Sequence, residues 1–125
     1  MDKAQALYSF WSGFGLPAYD ASSVPTGDNA PDFPYITYFV ATDSLGYPTA
    51  LNASLWYRTS SWTAISQKAE EIAQAIVTMR KPISIEGGYV WLVKGQPFAQ
   101  RMNDPTDDMI RRMYLNVTAE YLTAY

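Results

Sequence analysis

The chain has 125 residues, 48% hydrophobic and 17% charged, with a net charge of −3. That composition fits one folded domain over residues 1–125, too apolar for global disorder, and its scattered Lys and Arg exclude a duplex-binding surface. The absence of Cys and His excludes thiol nucleophiles, disulfides, thiolate zinc sites and imidazole general bases.

Residues 3–12 read as a helix. Ala4, Leu7, Tyr8 and Trp11 fall on one stripe, Asp2 sits at the positive end of the dipole, and Gly13 and Gly15 can stop it. No apolar run of roughly 7–15 residues with a cleavage site follows the start, as a signal peptide needs. No stretch reaches the roughly 20 apolar residues of a membrane span. The expectation is a soluble chain made in a cytoplasm, on which the triplets at Asn52 and Asn116 carry no glycan.

Residues 16–34 form a long irregular loop or arm punctuated by Pro17, Pro25, Gly27, Pro31 and Pro34. Such a loop in a small domain tends to be functional. Residues 35–41 are β-branched or aromatic and read as a strand, and residues 43–48 carry turn chemistry. Residues 49–58 read as a second strand, antiparallel to the first. Leu51, Ala53, Leu55 and Tyr57 point one way, while Asn52, Ser54 and Arg58, with Trp56 among them, point the other.

Ser60 or Ser61 is expected to cap the next helix. Its apolar stripe is Ile65, Ala69, Ile72, Ala73, Ile76 and Met79, and Pro82 is expected to end it. Strands follow at 83–86 and 89–94 around a Gly87-Gly88 turn, and a short strand at 98–102 follows Gly95-Gln96-Pro97. Residues 103–107 are a turn. From Met109 onward the positions alternate, with Met113, Leu115, Val117, Ala119 and Tyr121 apolar and the other face mostly polar. A strand of about a dozen residues is long, and its backbone groups need partners. The order predicts an α+β fold: an antiparallel or mixed β-sheet with two helices packed on one face.

Catalytic equipment is sparse. Asp104, Asp107 and Asp108 form the densest acidic cluster, but in a turn beside Pro105, without the Gly and Glu of a calcium loop. A solvated turn is the simpler reading, as is a solvated helix face for Glu70-Glu71. No Ser has a His to activate it, and neither Gly13-Phe14-Gly15 nor Gly87-Gly88 has phosphate-loop spacing. No enzyme, cofactor or metal is expected. Arg111-Arg112 can snorkel at a sheet end or form a bridge to the acidic turn of a neighbouring subunit. The ten Tyr and four Trp suit either an aromatic core or a subunit contact. Tyr47, Trp56 and Tyr114 join Arg111, Arg112, Asp104, Asp107 and Asp108 as interface candidates. Exposed Trp56 and Trp91 alternatively suit a small monomeric module that binds a ligand or carbohydrate.

Several segments together carry a family resemblance. These are Trp11 with Gly15-Leu16-Pro17, Pro34-Tyr35-Ile36-Thr37-Tyr38, Leu55-Trp56-Tyr57-Arg58 running into Ser60-Ser61, and Gly87-Gly88-Tyr89-Val90-Trp91-Leu92. Gln96-Pro97-Phe98-Ala99-Gln100 then leads to Asp104-Pro105, Ile110-Arg111-Arg112-Met113-Tyr114-Leu115-Asn116-Val117 and Glu120-Tyr121-Leu122. In element order the chain resembles the tail terminator or tail-completion (minor capsid) proteins of long-tailed bacteriophages. The resemblance implies a virion protein with a tail-tube-like fold. It would form a homo-hexameric ring on the head-proximal end of the tail tube, end tube growth and meet the head-side connector or stopper. Genome DNA would pass through without specific binding. The 16–34 loop and the 43–48 turn would be contact arms. A tail-to-head joining or tail-tube protein is the neighbouring alternative.

Overall fold

A computed structural model describes residues 1–42 and 47–123. Its elements are α1 (Lys3–Trp11), β1 (Ala18–Asp20), β2 (Tyr35–Tyr38), β3 (Pro48–Ala50), β4 (Ala53–Arg58), α2 (Thr63–Val77), β5 (Ile83–Ile85), β6 (Gly88–Met102) and β7 (Ile110–Leu122). The strands form one mixed sheet in the order β1-β2-β4-β7-β6-β5, with β3 also paired to β7. Among the described residues β1–β2 is parallel and the other pairs are antiparallel. This is the α+β architecture expected from the sequence.

The long alternating strand is β7, the centre of the sheet. Met113, Leu115, Val117, Ala119 and Tyr121 are buried on one face, in one core with Leu7 and Trp11 of α1 and Ile65, Ile72 and Ile76 of α2. Each fully buried Leu or Ile contributes about 1.5–3 kcal/mol. Both helices therefore cover the same face, and among the described residues the other face carries no helix. The sheet curls, because α1 touches both of its ends, β1 and β5. At the α1 end, Trp11 stacks on Tyr38 at 6.4 Å and meets the edge of Phe10 at 5.0 Å.

The helix ends differ from expectation in detail. Asp2 is the N-cap of α1, in a capping box with Gln5. A 3-10 turn at Ser12–Phe14 extends α1, and Gly15 at φ 79° ends it in the left-handed region only Gly adopts without strain. The N-cap of α2 is Trp62, not Ser60 or Ser61; the Ser61 hydroxyl instead accepts the Thr63 N–H at 3.1 Å. That helix stops at Val77, five positions before Pro82, where the Thr78 hydroxyl donates back to the Gln74 carbonyl at 2.7 Å.

Four strand expectations are corrected. Residues 16–34 are not wholly irregular: Ala18–Asp20 forms β1, held by Ile36 N–H on the Pro17 carbonyl and Ala21 N–H on the Tyr38 carbonyl. The 89–94 and 98–102 segments are one strand, β6, with a register shift between Lys94 and Ala99. Pro97 has no N–H to give the ladder; Asn116 Nδ2 bridges the gap by donating to the Pro97 carbonyl at 2.7 Å. The 49–58 strand is interrupted into β3 and β4, which keep one register against β7. At the interruption the Asn52 side chain accepts the Val117 N–H at 3.2 Å. The first strand also ends at Tyr38, short of position 41. The 43–48 turn lies outside the described residues except for Tyr47 and Pro48.

Candidate assembly interface

Strand alternation delivers the side chains of the helix-free face, and cross-strand register assembles them into rows. One row runs Tyr35, Trp56, Arg112, Met102 across β2, β4, β7 and β6; the next runs Tyr19, Thr37, Ser54, Tyr114, Gln100 from β1 to β6. Further along β7, Val93 stands beside Thr118, Trp91 beside Glu120 and Tyr89 beside Leu122.

The first row is a ladder of π-systems and one cation. Tyr35 stacks on Trp56 at 6.0 Å with 13° between the planes, the edge of Tyr19 meets Tyr35 at 6.1 Å, and the tilted Phe33 ring lies 5.3 Å from it. The Arg112 guanidinium lies 4.6 Å from the Trp56 ring centre and 5.9 Å from that of Tyr114. Offset stacking and cation–π contact are each worth about 0.5–1.5 kcal/mol at such sites.

The polar ends of the ladder are fixed beneath it. Trp56 Nε1–H donates to Thr37 Oγ1 at 2.9 Å, and Asn52 Nδ2 donates to the Tyr114 hydroxyl at 2.7 Å. Arg112 Nε and Nη2 both donate to Ser54 Oγ, at 3.2 and 3.1 Å, and Ser54 is only 2% exposed. Burial, then the neighbouring Tyr19, raises the Tyr35 hydroxyl above its ordinary value of 10.0. Around this ordered patch Tyr89, Val93, Met102 and Leu122 are large apolar side chains left exposed. They share the face with Gln100, Thr118 and Glu120.

Alternation splits the arginine pair. Arg112 is on the open face, while Arg111 is on the helix face, 5.3 Å from the Trp62 ring, where it donates to the carbonyls of Ser60 and Asp108. Arg101 approaches the same ring at 4.9 Å. The acidic turn is organised within the chain. Asp104 accepts from the Thr106 hydroxyl and N–H and from Asp107 N–H, which holds its carboxyl below the ordinary 3.8. Asp107 is also held low, by the Met109 N–H and then by Arg58 at 3.0 Å. Asp108 is exposed. Tyr47, just before β3, is 67% exposed. The structure thus brings Trp56, Arg112 and Tyr114 together and leaves Arg111, Tyr47 and the acidic turn apart from them. The sequence places Ser54 on the Trp56 face of its strand, but no single segment points to Tyr19, Tyr35 and Thr37, because cross-strand register is not written in any one segment.

No group of three metal-ligating side chains occurs among the described residues. A hollow beside α1, about 610 Å³, is lined by Met1, Gln5, Tyr8, Ser9, Ser12 and Tyr38 among others, none of which has a charged side chain. Among the described residues no helix is long and apolar enough to cross a membrane.

No protein-family profile and no curated protein matches the chain. Among solved structures, a chain in the virion of a native gene transfer agent particle is similar, with a TM-score of 0.58 and 17% identity. The similarity covers 95% of this chain and 90% of that one. The two share a fold over nearly their whole lengths.

Proposed function

We propose that this chain is a structural protein of a bacteriophage-like virion, a tail terminator that closes the head-proximal end of the tail tube as a ring of about six copies. The observation that carries this reading is the end-to-end fold similarity to a chain of a virion particle, on a domain whose open sheet face is already ordered for contact. Side chains fixed by Thr37, Ser54 and Asn52 lose little freedom when a partner covers them. The partners in this reading are further copies, the tail-tube protein and the head-side connector or stopper, with the virion as its location. The net charge of −3 suits a conduit through which DNA passes without binding. A bridge from the Arg111-Arg112 pair to the Asp104–Asp108 turn of a neighbouring copy belongs to the same proposal. A tail-tube or head–tail joining protein is the neighbouring assignment: a tube protein polymerises alone, whereas a terminator stops at one ring.

Light scattering and negative-stain microscopy over a concentration series, with and without purified tail tubes, test this. Rings alone, or rings capping tubes, are expected. A monomer that also ignores tubes overturns it. The stacked Tyr35–Trp56 pair favours one other reading, a saccharide-binding module, in which a saccharide changes Trp fluorescence of a stable monomer.

A further inference from the structure

Charge is segregated along this sheet. Residues 4–57, which supply β1 to β3 and most of β4, carry four Asp and no Lys, Arg or Glu. Residues 58–125, which supply β5 to β7, carry eight Lys and Arg against seven Asp and Glu. The sheet order places these halves side by side, with β1 at one end and β5 at the other.

The ends hold charges that the chain itself does not use. Asp28 and Asp32 lie in the arm between β1 and β2, and Arg80 and Lys81 lie in the shoulder between α2 and β5; all four are exposed. Among the described residues none of the four makes an ion pair or hydrogen bond through its side chain. Elsewhere such pairs do form, as at Arg58–Asp107 and Lys68–Glu71. Helix α1 lies between the two ends, touching both β1 and β5, so it separates the acidic arm from the basic shoulder.

We propose that the acidic arm of one copy, through Asp28 and Asp32, docks head to tail on the basic shoulder of the next, through Arg80 and Lys81. The partner is a second copy because the charges complement each other only between unlike ends. A two-fold contact centred on the arm alone or on the shoulder alone would juxtapose like charges, which oppose association, and head-to-tail docking avoids this. Unlike ends make a heterologous contact, which closes into a ring when the rotation per copy allows. The short terminal strands, Ala18–Asp20 and Ile83–Ile85, limit backbone pairing at the joint, so the charges supply its register and specificity. The inference rests on the ring reading and adds which surfaces meet.

The test uses the full chain in sedimentation velocity, with and without purified tail tubes, at low and high salt. The variants are Asp28→Lys/Asp32→Lys and Arg80→Glu/Lys81→Glu. Each alone carries one sign at both ends and is expected to assemble about tenfold or more weakly. Mixing the two variants restores an attractive joint on every side, and so does the chain with all four reversals; both are expected to recover assembly to within about threefold of the unmodified chain. High salt is expected to weaken the unmodified joint and to relieve the repulsion in each variant. Recovery on mixing also shows that neither variant is misfolded. Rings that form equally well in every variant overturn the joint and leave the ring reading standing. Variants that stay apart when mixed also overturn the joint. An unmodified chain that stays monomeric even with tubes overturns both.

Discussion

Arg112→Ala removes the cation from the centre of the aromatic ladder, and its cost follows from what the guanidinium touches. Two N–H groups leave Ser54 Oγ, at 3.2 and 3.1 Å, and one cation–π contact to Trp56 at 4.6 Å is lost. An orphaned buried hydroxyl costs about 1–3 kcal/mol. Arg112 is itself half-buried, so its truncation admits water to Ser54, which holds this part near about 1 kcal/mol. The cation–π contact at a half-exposed site adds about 0.5–1 kcal/mol. The expected total is about 2 kcal/mol, and with a urea m-value of about 1–2 kcal/mol per M the midpoint falls by about 1–2 M. Arg112→Lys keeps the charge but loses the planar fork, and is expected to cost about half as much. A double-mutant cycle with Ser54→Ala isolates the hydrogen bonds, with an expected coupling of about 1 kcal/mol. A midpoint unchanged by Arg112→Ala, or a coupling near zero, refutes the view that this arginine is pinned to the sheet by Ser54.

Gly88→Ala is expected to cost about 3 kcal/mol or more in the same denaturation experiment: Gly88 sits at φ +155°, and a Cβ there would collide with the Leu122 carbonyl of β7. Gly13→Ala meets nothing within 4 Å and is expected to stay within about 1 kcal/mol of the unmodified chain. Burial pushes the Tyr121 hydroxyl up to about 12, above the value of about 10 of an unfolded chain. Its contribution to stability is therefore complete below pH 10 and is lost as the pH rises toward 12. Tyr121→Phe should remove that component from the alkaline denaturation profile, along with the hydrogen bond to the Ala41 carbonyl. Asp107 is depressed below 3.8 by the Met109 N–H and Arg58, so its contribution is present above the ordinary carboxyl value and is lost as the pH falls through the lower folded one. Asp107→Asn is expected to speed hydrogen exchange at the Met109 amide, and an unchanged exchange rate would remove the carboxylate from that role.

The fold was most legible where a pattern was long and local. Alternation from Met113 to Tyr121 identified β7 and its buried face, and the Ile65–Ile72–Ile76 stripe identified α2. Legibility failed where a tertiary partner decides the structure. Ala18–Asp20 is a strand only because β2 lies beside it, and the Pro and Gly around it read as loop. The Pro97 position read as a strand break because its ladder donor is missing, yet Asn116 reaches across from β7 to bridge it. The candidate site was half legible for the same reason. Even-numbered positions on β7 put Arg112 and Tyr114 on one face. That Trp56 and Tyr35 stand beside Arg112 depends on register across three strands, set by the fold as a whole.

The open face and the sheet ends differ in how finished they are, and that difference assigns them different work. On the face, polar atoms of the ladder's central side chains have partners inside the chain: Trp56 on Thr37, Tyr114 with Asn52, Arg112 on Ser54. A partner laid over such a surface gains apolar contact at little entropic cost and leaves no inner hydrogen bond to break. At the ends, Asp28, Asp32, Arg80 and Lys81 are exposed and make no side-chain ion pair among the described residues; in the proposed ring their partners come from the next copy, and salt screens them. A contact that must first find the right neighbour uses long-range charge, and one that must then hold uses buried aromatic area. In the proposed ring, the ends therefore select the next copy, and the ladder supplies adhesion to whatever covers the open face. Reversing the end charges should alter salt dependence and the rate of assembly, whereas truncating Trp56 to Ala should leave both nearly unchanged and raise the rate at which the assembled particle comes apart. An unchanged dissociation rate alongside a less stable monomer would show that the ladder is a core feature of the monomer and that the open face is not an interface.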